Sequence, residues 1–473
     1  MQKVLAIKVA VIGLIALILL IPLAMISDKI FERSNYLYEA KNSVARSWTG
    51  SQHVMGPLIV IPYQIEKTKE VWNKEKTEKT TKVTRTNRKK YLLPEQVRMD
   101  ANIVNDVRFK GIYKVPVYTS RLNVQGEVDR DVLNKLLKEI ETEGEKINYF
   151  KPYLTATVSD PRGINSIPKL DWMGQELAFE PGSKLNANNN GIHAYLPEFP
   201  LPSADKKIQT NIPFQFELEL RGMEEISFVP VGQEAIVSMD SDWPHPEFTG
   251  LFLPANRTIS DSGYQAEWKI TSFASNIADK VEACQDGNCN DLFSSGFGVK
   301  HIETVDVYLQ SERSVKYGIL FIGLSFIAFF IFEVIRKLPI HAIQYTLVGF
   351  AIAVFYLLLV SLSEHLDFAL SYLIATLCCA GLLLFYLRYV LRGFTQALMF
   401  SGLLLLLYGV LYVIISAEDF ALLMGAFLTF VTLTIVMIST RNIDWYDVGG
   451  RVNPSVLVDP VTANSKPTSE AQD

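Results

Sequence analysis

The chain has 473 residues, 49% of them hydrophobic and 20% charged, with a formal net charge of −5. That balance, without a basic stripe interleaved with aromatics, argues against nucleic acid as a partner. The apolar residues crowd toward the two ends, so the average composition describes neither the ends nor the middle.

The first element is an apolar run at residues 9–26, VAVIGLIALILLIPLAMI. Five more lie at 317–335, about 342–362, 368–387, 394–416 and 420–438. Each approaches the roughly 20 residues that a helix needs to cross a bilayer core. Each must be helical, because a lone strand in lipid leaves backbone groups unpaired. The first run is read as an uncleaved anchor rather than a signal peptide. It is longer than a signal core, and LAMISDKI offers no small-x-small cleavage site. Lys3, Lys8, Arg336, Lys337, Arg388, Arg392, Arg441 and Arg451 fall on one side of the resulting topology, while the short loops near 363–367 and 416–419 carry no Lys or Arg. The positive-inside rule then predicts both termini in the cytoplasm and residues 28–315 outside it. The expected organisation is an anchor (1–27), a β-rich extracytoplasmic domain (28–315), a five-helix bundle (316–440) and a largely disordered tail (441–473).

Within the middle segment, PLIVIPYQI (57–65), GIYKVPVYTSRLNVQGEV (111–128), LTATVSD (154–160), PFQFELELRG (213–222) and YQAEWKI (264–270) read as strands between turn residues. One helix is predicted over 129–143, with Asp129 as N-cap and Val132, Leu133, Leu136, Leu137 and Ile140 on one face. The fold class is therefore a membrane protein: an α-helical bundle of six transmembrane helices plus a large, β-rich, sandwich-like antiparallel domain. Residues 64–90 hold ten Lys or Arg against four Glu. They read either as a solvated hairpin or loop, or as a surface for anionic headgroups. WPHPEF (243–248) is either a rigid turn covering one end of the sandwich or an aromatic lip for a lipid or glycan. Cys284 and Cys289 flank QDGN, and a tight turn there makes a disulfide in an oxidising compartment, against the alternative of two free thiols. Cys378 and Cys379, mid-span, are read as packing residues.

The polar residues next to the spans are few. Glu364, His365 and Asp367 interrupt two apolar runs in SLSEHLDF, and Glu418 and Asp419 occupy the neighbouring loop. With Arg313 and Lys316 they form a candidate cluster at the outer membrane face. Three readings compete: electrostatic docking between these loops, Arg313, Lys316 and the β domain; a divalent-cation or polar-ligand site using His365, Glu364 and Glu418; and plain helix caps. Zn²⁺ wants three or four well-spaced ligands, so no metal and no cofactor is assigned. Glu333 is expected to pair with Arg336 or Lys337. His53, His193, His245 and His301 are read as separate structural histidines. HExxH, GxSxG and P-loop motifs are absent from the sequence. The chain is accordingly not read as an enzyme.

ERSVKYGILFIGLSF, LPIHAIQYTLVGFAIAVFYLLLVSLSEH, FYLRYVL and RNIDWYDV, with SWTGSQHVMGPLIVIPY and WPHPEFTGLFLPANRTISDSGYQAEWKI upstream, resemble the CreD family of inner-membrane proteins of Gram-negative bacteria. The resemblance implies an inner-membrane location, an association with cell-envelope integrity and a regulon run by a two-component system; it brings no reaction with it. The expected role is non-enzymatic, with the bilayer as first partner and a periplasmic lipid, envelope precursor or protein as second. A translocator would instead need a polar cavity lined by residues such as Gln344, Tyr345 and Ser361, and an enzyme a periplasmic cleft with converging His, Ser or acidic groups. Oligomeric state is not legible.

Overall fold

A computed structural model of the chain describes residues 2–72, 79–144, 146–185, 189–197, 211–285, 289–302, 307–336, 340–391, 393–416 and 421–441. It divides into a helical unit, residues 1–35 with 305–473, and a β-rich unit, residues 36–304. Helix α1 (Gln2–Ile18) continues into α2 (Leu20–Ser47) through bonds such as Leu19 N–H to the Ile15 carbonyl. The helix thus runs on well past the apolar stretch that ends at Ile26. Nothing in SDKIFERSNYLYEAKNSVARS, which lacks Pro and Gly, stops it before Thr49.

The β-rich unit is a pair of twisted sheets. Its strands are β1 (Gln52–Trp72), β2 (Lys79–Leu92), β3 (Gln96–Lys110), β4 (Tyr113–Asp129), β5 (Lys146–Tyr149), β6 (Tyr153–Thr157), β7 (Lys169–Trp172), β8 (Gln175–Ala178), β9 (Glu180–Pro181), β10 (Gly191–Tyr195), β11 (Asn211–Met223), β12 (Glu225–Val229), β13 (Glu234–Ser241), β14 (Pro246–Gly250), β15 (Asn256–Ser260), β16 (Gly263–Thr271) and β17 (Phe297–His301). The first sheet runs β14-β17-β12-β1-β6-β10-β9, with β2 and β5 also on β1; the second runs β15-β16-β13-β3-β4-β11-β7-β8. Pairing is antiparallel except for β1 with β12 and β3 with β13. The antiparallel expectation therefore holds for most of the unit but not for these two pairs, whose strands are distant from each other in the chain. Such crossovers leave no local signature in the chain.

Alternation along the strands drives the packing. Val54, Ile59 and Ile61 of β1, Ile226 and Phe228 of β12, Leu122 and Val124 of β4, Phe216 and Leu218 of β11 and Trp268 of β16 fill the space between the sheets, each at most 3% exposed. Helix α3 (Arg130–Glu141) closes on the same core through Leu133 and Ile140. Its N-cap is Asp129, whose carboxylate accepts from the Asp131 and Val132 amides. Val132, expected on the buried face, is instead 39% exposed, because the stripe is centred on Leu133, Leu137 and Ile140 and Val132 sits at its edge. Residues 64–72 and 79–90 form a two-stranded ribbon, part of a ladder paired from Ile59 opposite Leu92 out to Trp72 opposite Lys79, with Ile65 still buried and residues 67–70 and 81–88 exposed. Trp243 and Phe248 close the sandwich end: the Trp243 indole N–H donates to the Ile302 carbonyl (3.1 Å), and Phe248 packs edge-on against Tyr264 and Trp268.

Outside the first sheet, α4 (Ser272–Ser275), α5 (Ile277–Gln285) and α6 (Asn290–Phe293) form a small cover. Ile277, Val281 and Leu292 pack there onto Met55, Val60 and Val229. Cys284 and Cys289 join α5 to α6 as a disulfide, and both are buried.

The helical unit adds α7 (Val307–Lys316), α8 (Gly318–Arg336), α9 (Ala342–Ser363), α10 (Phe368–Val390), α11 (Phe394–Ser416) and α12 (Ala421–Thr440) to the first helix. Six of the described helices are long and apolar enough to cross a membrane. A small residue marks one close contact. Ala375 is fully buried, and a Cβ on Gly349 would collide with Leu19 of the first helix. Gly381 has open space beside it and makes no such contact. Cys379 is buried with its sulfur 3.2 Å from the Tyr408 hydroxyl, whereas Cys378 faces outward and is not a packing residue. The predicted tail beyond Arg441 lies outside the described residues.

Candidate functional site

The parallel pairing of β1 with β12 puts His53 opposite Ser227 and Met55 opposite Val229. Their neighbours Val54 and Phe228 enter the sandwich, so period-2 alternation turns these four onto the outer face of the first sheet. The α4–α6 cover extends over that face as far as Phe293. Beside it lies a pocket of about 530 Å³, with Met55, Val229 and Phe293 on its apolar side and His53, Ser159, Ser227, Glu225 and Thr249 on its polar side.

The polar side is held by its own hydrogen bonds. The His53 imidazole meets the Ser227 hydroxyl through Nδ1. The His53 amide donates to Ser159 Oγ (2.9 Å), which donates to the Ser51 carbonyl (2.7 Å). Thr249 donates to Glu225 Oε1 at 3.0 Å. Beyond Ser159, the Arg162 guanidinium lies 2.6 Å from Asp160 and holds that carboxyl below the usual carboxylate range. At the rim, Gly250 adopts φ +92°, and any Cβ there would run into the Gly296 carbonyl, so only glycine lets β14 meet β17 this closely. Hydroxyls, an imidazole and a carboxylate set against an apolar wall suit an amphiphilic ligand. The same group brings a serine and a histidine into contact, as a nucleophile and base would be. His53 and Ser227 are 174 residues apart. Their only sequence signal is the alternation in QHVM and EISFV.

Two other histidines of the β-rich unit are packed inside it. His193 is buried with Nδ1 2.6 Å from the Gly182 carbonyl. His301 is buried with Nε2 3.1 Å from the Tyr264 hydroxyl, and burial pushes its pKa down to about 4. His245 is exposed, and its backbone carbonyl accepts from the Ile302 amide.

The described members of the cluster expected from SLSEHLDF lie on α7 and at the turn between α9 and α10. Glu364 is paired with Arg33 of α2 (3.1 Å), a residue the sequence reading passed over because it lies beyond the apolar run. Lys316 is held one turn back on its own helix by Glu312 (2.7 Å), and Arg313 sits on that helix as well. His365 is exposed; Asp367 stands at the N-cap position of α10, where its side chain makes no capping bond. Glu418 and Asp419 lie outside the described residues, and among the described ones no group of His, Cys, Asp and Glu is arranged to hold a metal.

Glu333 also has a partner the sequence reading missed. Only 6% exposed, it is bonded to the Lys8 ammonium, accepts from the Tyr345 hydroxyl (2.8 Å) and lies 3.4 Å from the Ile340 amide. Lys8 also donates to the Ile340 carbonyl at 3.0 Å. The side chains of Arg336 and Lys337, its expected partners, lie outside the described residues. A carboxylate facing the bundle interior is met here by a cation that reaches inward from the first helix. Gln344, Tyr345 and Ser361 do not line one cavity. Gln344 closes a capping box with His341, Tyr345 is fully buried on Glu333, and Ser361 is exposed.

The sequence, compared with known proteins, matches the family model described as Inner membrane protein CreD over residues 4–446. The chain belongs to the CreD family. Inner membrane protein CreD of Escherichia coli (strain K12) is 36% identical over 430 residues, 91% of this chain and 91% of that protein. The CreD match runs through both units and stops within the tail. With six membrane-length helices beside it, the chain is a multi-pass inner-membrane protein.

Proposed function

We propose that this CreD-family protein supports the cell envelope without catalysis, by binding an amphiphilic envelope component, a lipid or lipid-linked precursor, in its β-rich unit. In this reading both termini are cytoplasmic and residues 28–315 are periplasmic, as the basic residues beside the spans favour. The observation that carries it is the pocket beside β1 and β12, where donors and acceptors face an apolar wall built by Met55, Val229 and Phe293. The test is native mass spectrometry of the full chain released from lipid nanodiscs. A lipid or precursor retained at one per chain, and lost from a pocket-filling Ser227→Phe variant, is the expected result. The same retained species in both proteins overturns the assignment.

A second reading rests on the His53–Ser227 contact, which meets the cleft requirement for an enzyme. A hydrolase with Ser227 as nucleophile and His53 as base predicts a fluorophosphonate adduct on Ser227. Two features weigh for binding. The imidazole is exposed, with no carboxylate orienting its Nε2 among the described residues. Ser227 also lies within a regular strand rather than at a turn that presents a nucleophile.

A further inference from the structure

The distal half of the β3–β4 hairpin projects beyond the second sheet. Its ladder continues to Lys110 opposite Tyr113, yet no β3 residue after Ile103 is buried. Around the turn at Gly111, Val107, Phe109 and Ile112 are 41%, 68% and 47% exposed. Arg108, Lys110 and Lys114 alternate with them. Lys110 and Lys114 make no ion pair among the described residues, while Arg108 reaches Asp106 at 3.2 Å.

This tip is held firmly. At its base Val115 and Val117 pack with Met223 and with Val44 of α2. The Trp48 ring lies between the Arg108 and Arg221 guanidiniums, each 4.5 Å from its centre. Between the tip and α2, within the β-rich unit, a cleft of about 710 Å³ is lined by Tyr36, Glu39, Arg46, Lys110 and Tyr113 among others. Tip and cleft together present four cations against two carboxylates, Glu39 and Asp106.

We infer that the β3–β4 tip is a lipid-docking element: Phe109 and Ile112 enter the interfacial layer of an anionic phospholipid surface, and Lys110, Lys114 and Arg46 meet its phosphates. Exposed large apolar side chains interleaved with cations are the pattern of interfacial binding, where apolar burial and headgroup attraction act together. A narrow hairpin end presents less area than the roughly 800 Å² per partner of a standard protein interface. The chain is held in a bilayer by its spans, so a phospholipid surface is at hand without a second binding partner.

The experiment uses the full-length protein in nanodiscs, with Cys378 and Cys379 replaced by Ala and one bimane-labelled cysteine at Phe109→Cys or Ile112→Cys. Thr258→Cys on the exposed strand β15 is the control. Brominated phosphatidylglycerol is the probe in the disc, and iodide the probe in water. The inference expects several-fold stronger bromolipid quenching at 109 and 112 than at 258. It also expects loss of that excess in Lys110→Glu/Lys114→Glu, since each lysine contributes about a fivefold change in surface affinity. Equal quenching at 109 and 258 overturns it. Shielding from iodide without bromolipid quenching also overturns it, pointing to a protein neighbour. Quenching unchanged by charge reversal refutes the phosphate contact.

Discussion

The Lys8–Glu333 pair gives the sharpest quantitative expectation. The Glu333 side chain is 8% exposed and that of Lys8 32%, so the pair is buried at one end and wet at the other. Fully buried pairs lose about 3–5 kcal/mol when one partner is removed. Polar couplings inside helical membrane bundles average only about 0.6 kcal/mol, with a maximum near 1.7. Here the carboxylate keeps two neutral donors, Tyr345 and the Ile340 amide, after Lys8 is gone, which places the loss below the buried-pair range. We therefore expect Lys8→Met to cost about 2 kcal/mol, with a coupling to Glu333 of about 1.5, near the top of the membrane range. The assay is a double-mutant cycle with Glu333→Gln, read by equilibrium unfolding in mixed micelles of SDS and a mild detergent. The double variant should be more stable than the sum of the singles predicts by that coupling. Additivity within about 0.4 kcal/mol would show that the pair is not energetically joined, and the reasoning would fail.

Gln52 is fully buried and uses its whole amide: Nε2 donates to the Asp160 and Arg221 carbonyls, and Oε1 takes the Asp160 amide at 3.2 Å. Gln52→Leu strands these groups and should cost about 2–4 kcal/mol in thermal or chemical unfolding, whereas an exposed Gln215→Leu should cost little. Opening the Cys284–Cys289 loop with Cys284→Ser/Cys289→Ser should remove about 2 kcal/mol, and dithiothreitol should lower the melting temperature of the parent alone. His301 is held at about 4 against an ordinary 6.5, so the unfolded chain takes up its proton first as pH falls. Its contribution is complete above pH 6.5 and is lost between there and pH 4, about 3 kcal/mol in all. Unfolding measured across that window should be flatter in His301→Phe.

How much the sequence revealed depended on the range of the interaction. Spans were legible because apolar length alone decides them: α9 and α11 begin and end within a residue of the runs at 342–362 and 394–416. Asp129 was legible because a cap acts over three residues. The pocket was not, since the contact of His53 with Ser227 depends on which strand β1 chooses as a parallel neighbour, and the two segments look alike in pattern to several others. Arg33 and Lys8 were passed over for a different reason. Their significance depends on α2 continuing beyond the apolar run and on the first helix packing with α8 and α9, neither of which is encoded near either residue.

Lys8 and Glu333 are separated by 325 positions along the chain. At a synthesis rate of about 5–20 residues per second, the lysine exists for roughly 16–65 seconds before its carboxylate has even been made. During that interval the first span must persist in the membrane without its ion pair and without the α9 surface that Gly349 opens for Leu19. Assembly of the helical unit is therefore ordered in time by the length of the β-rich insertion. Shortening that insertion would change when the bundle closes, even with every contact inside it unchanged.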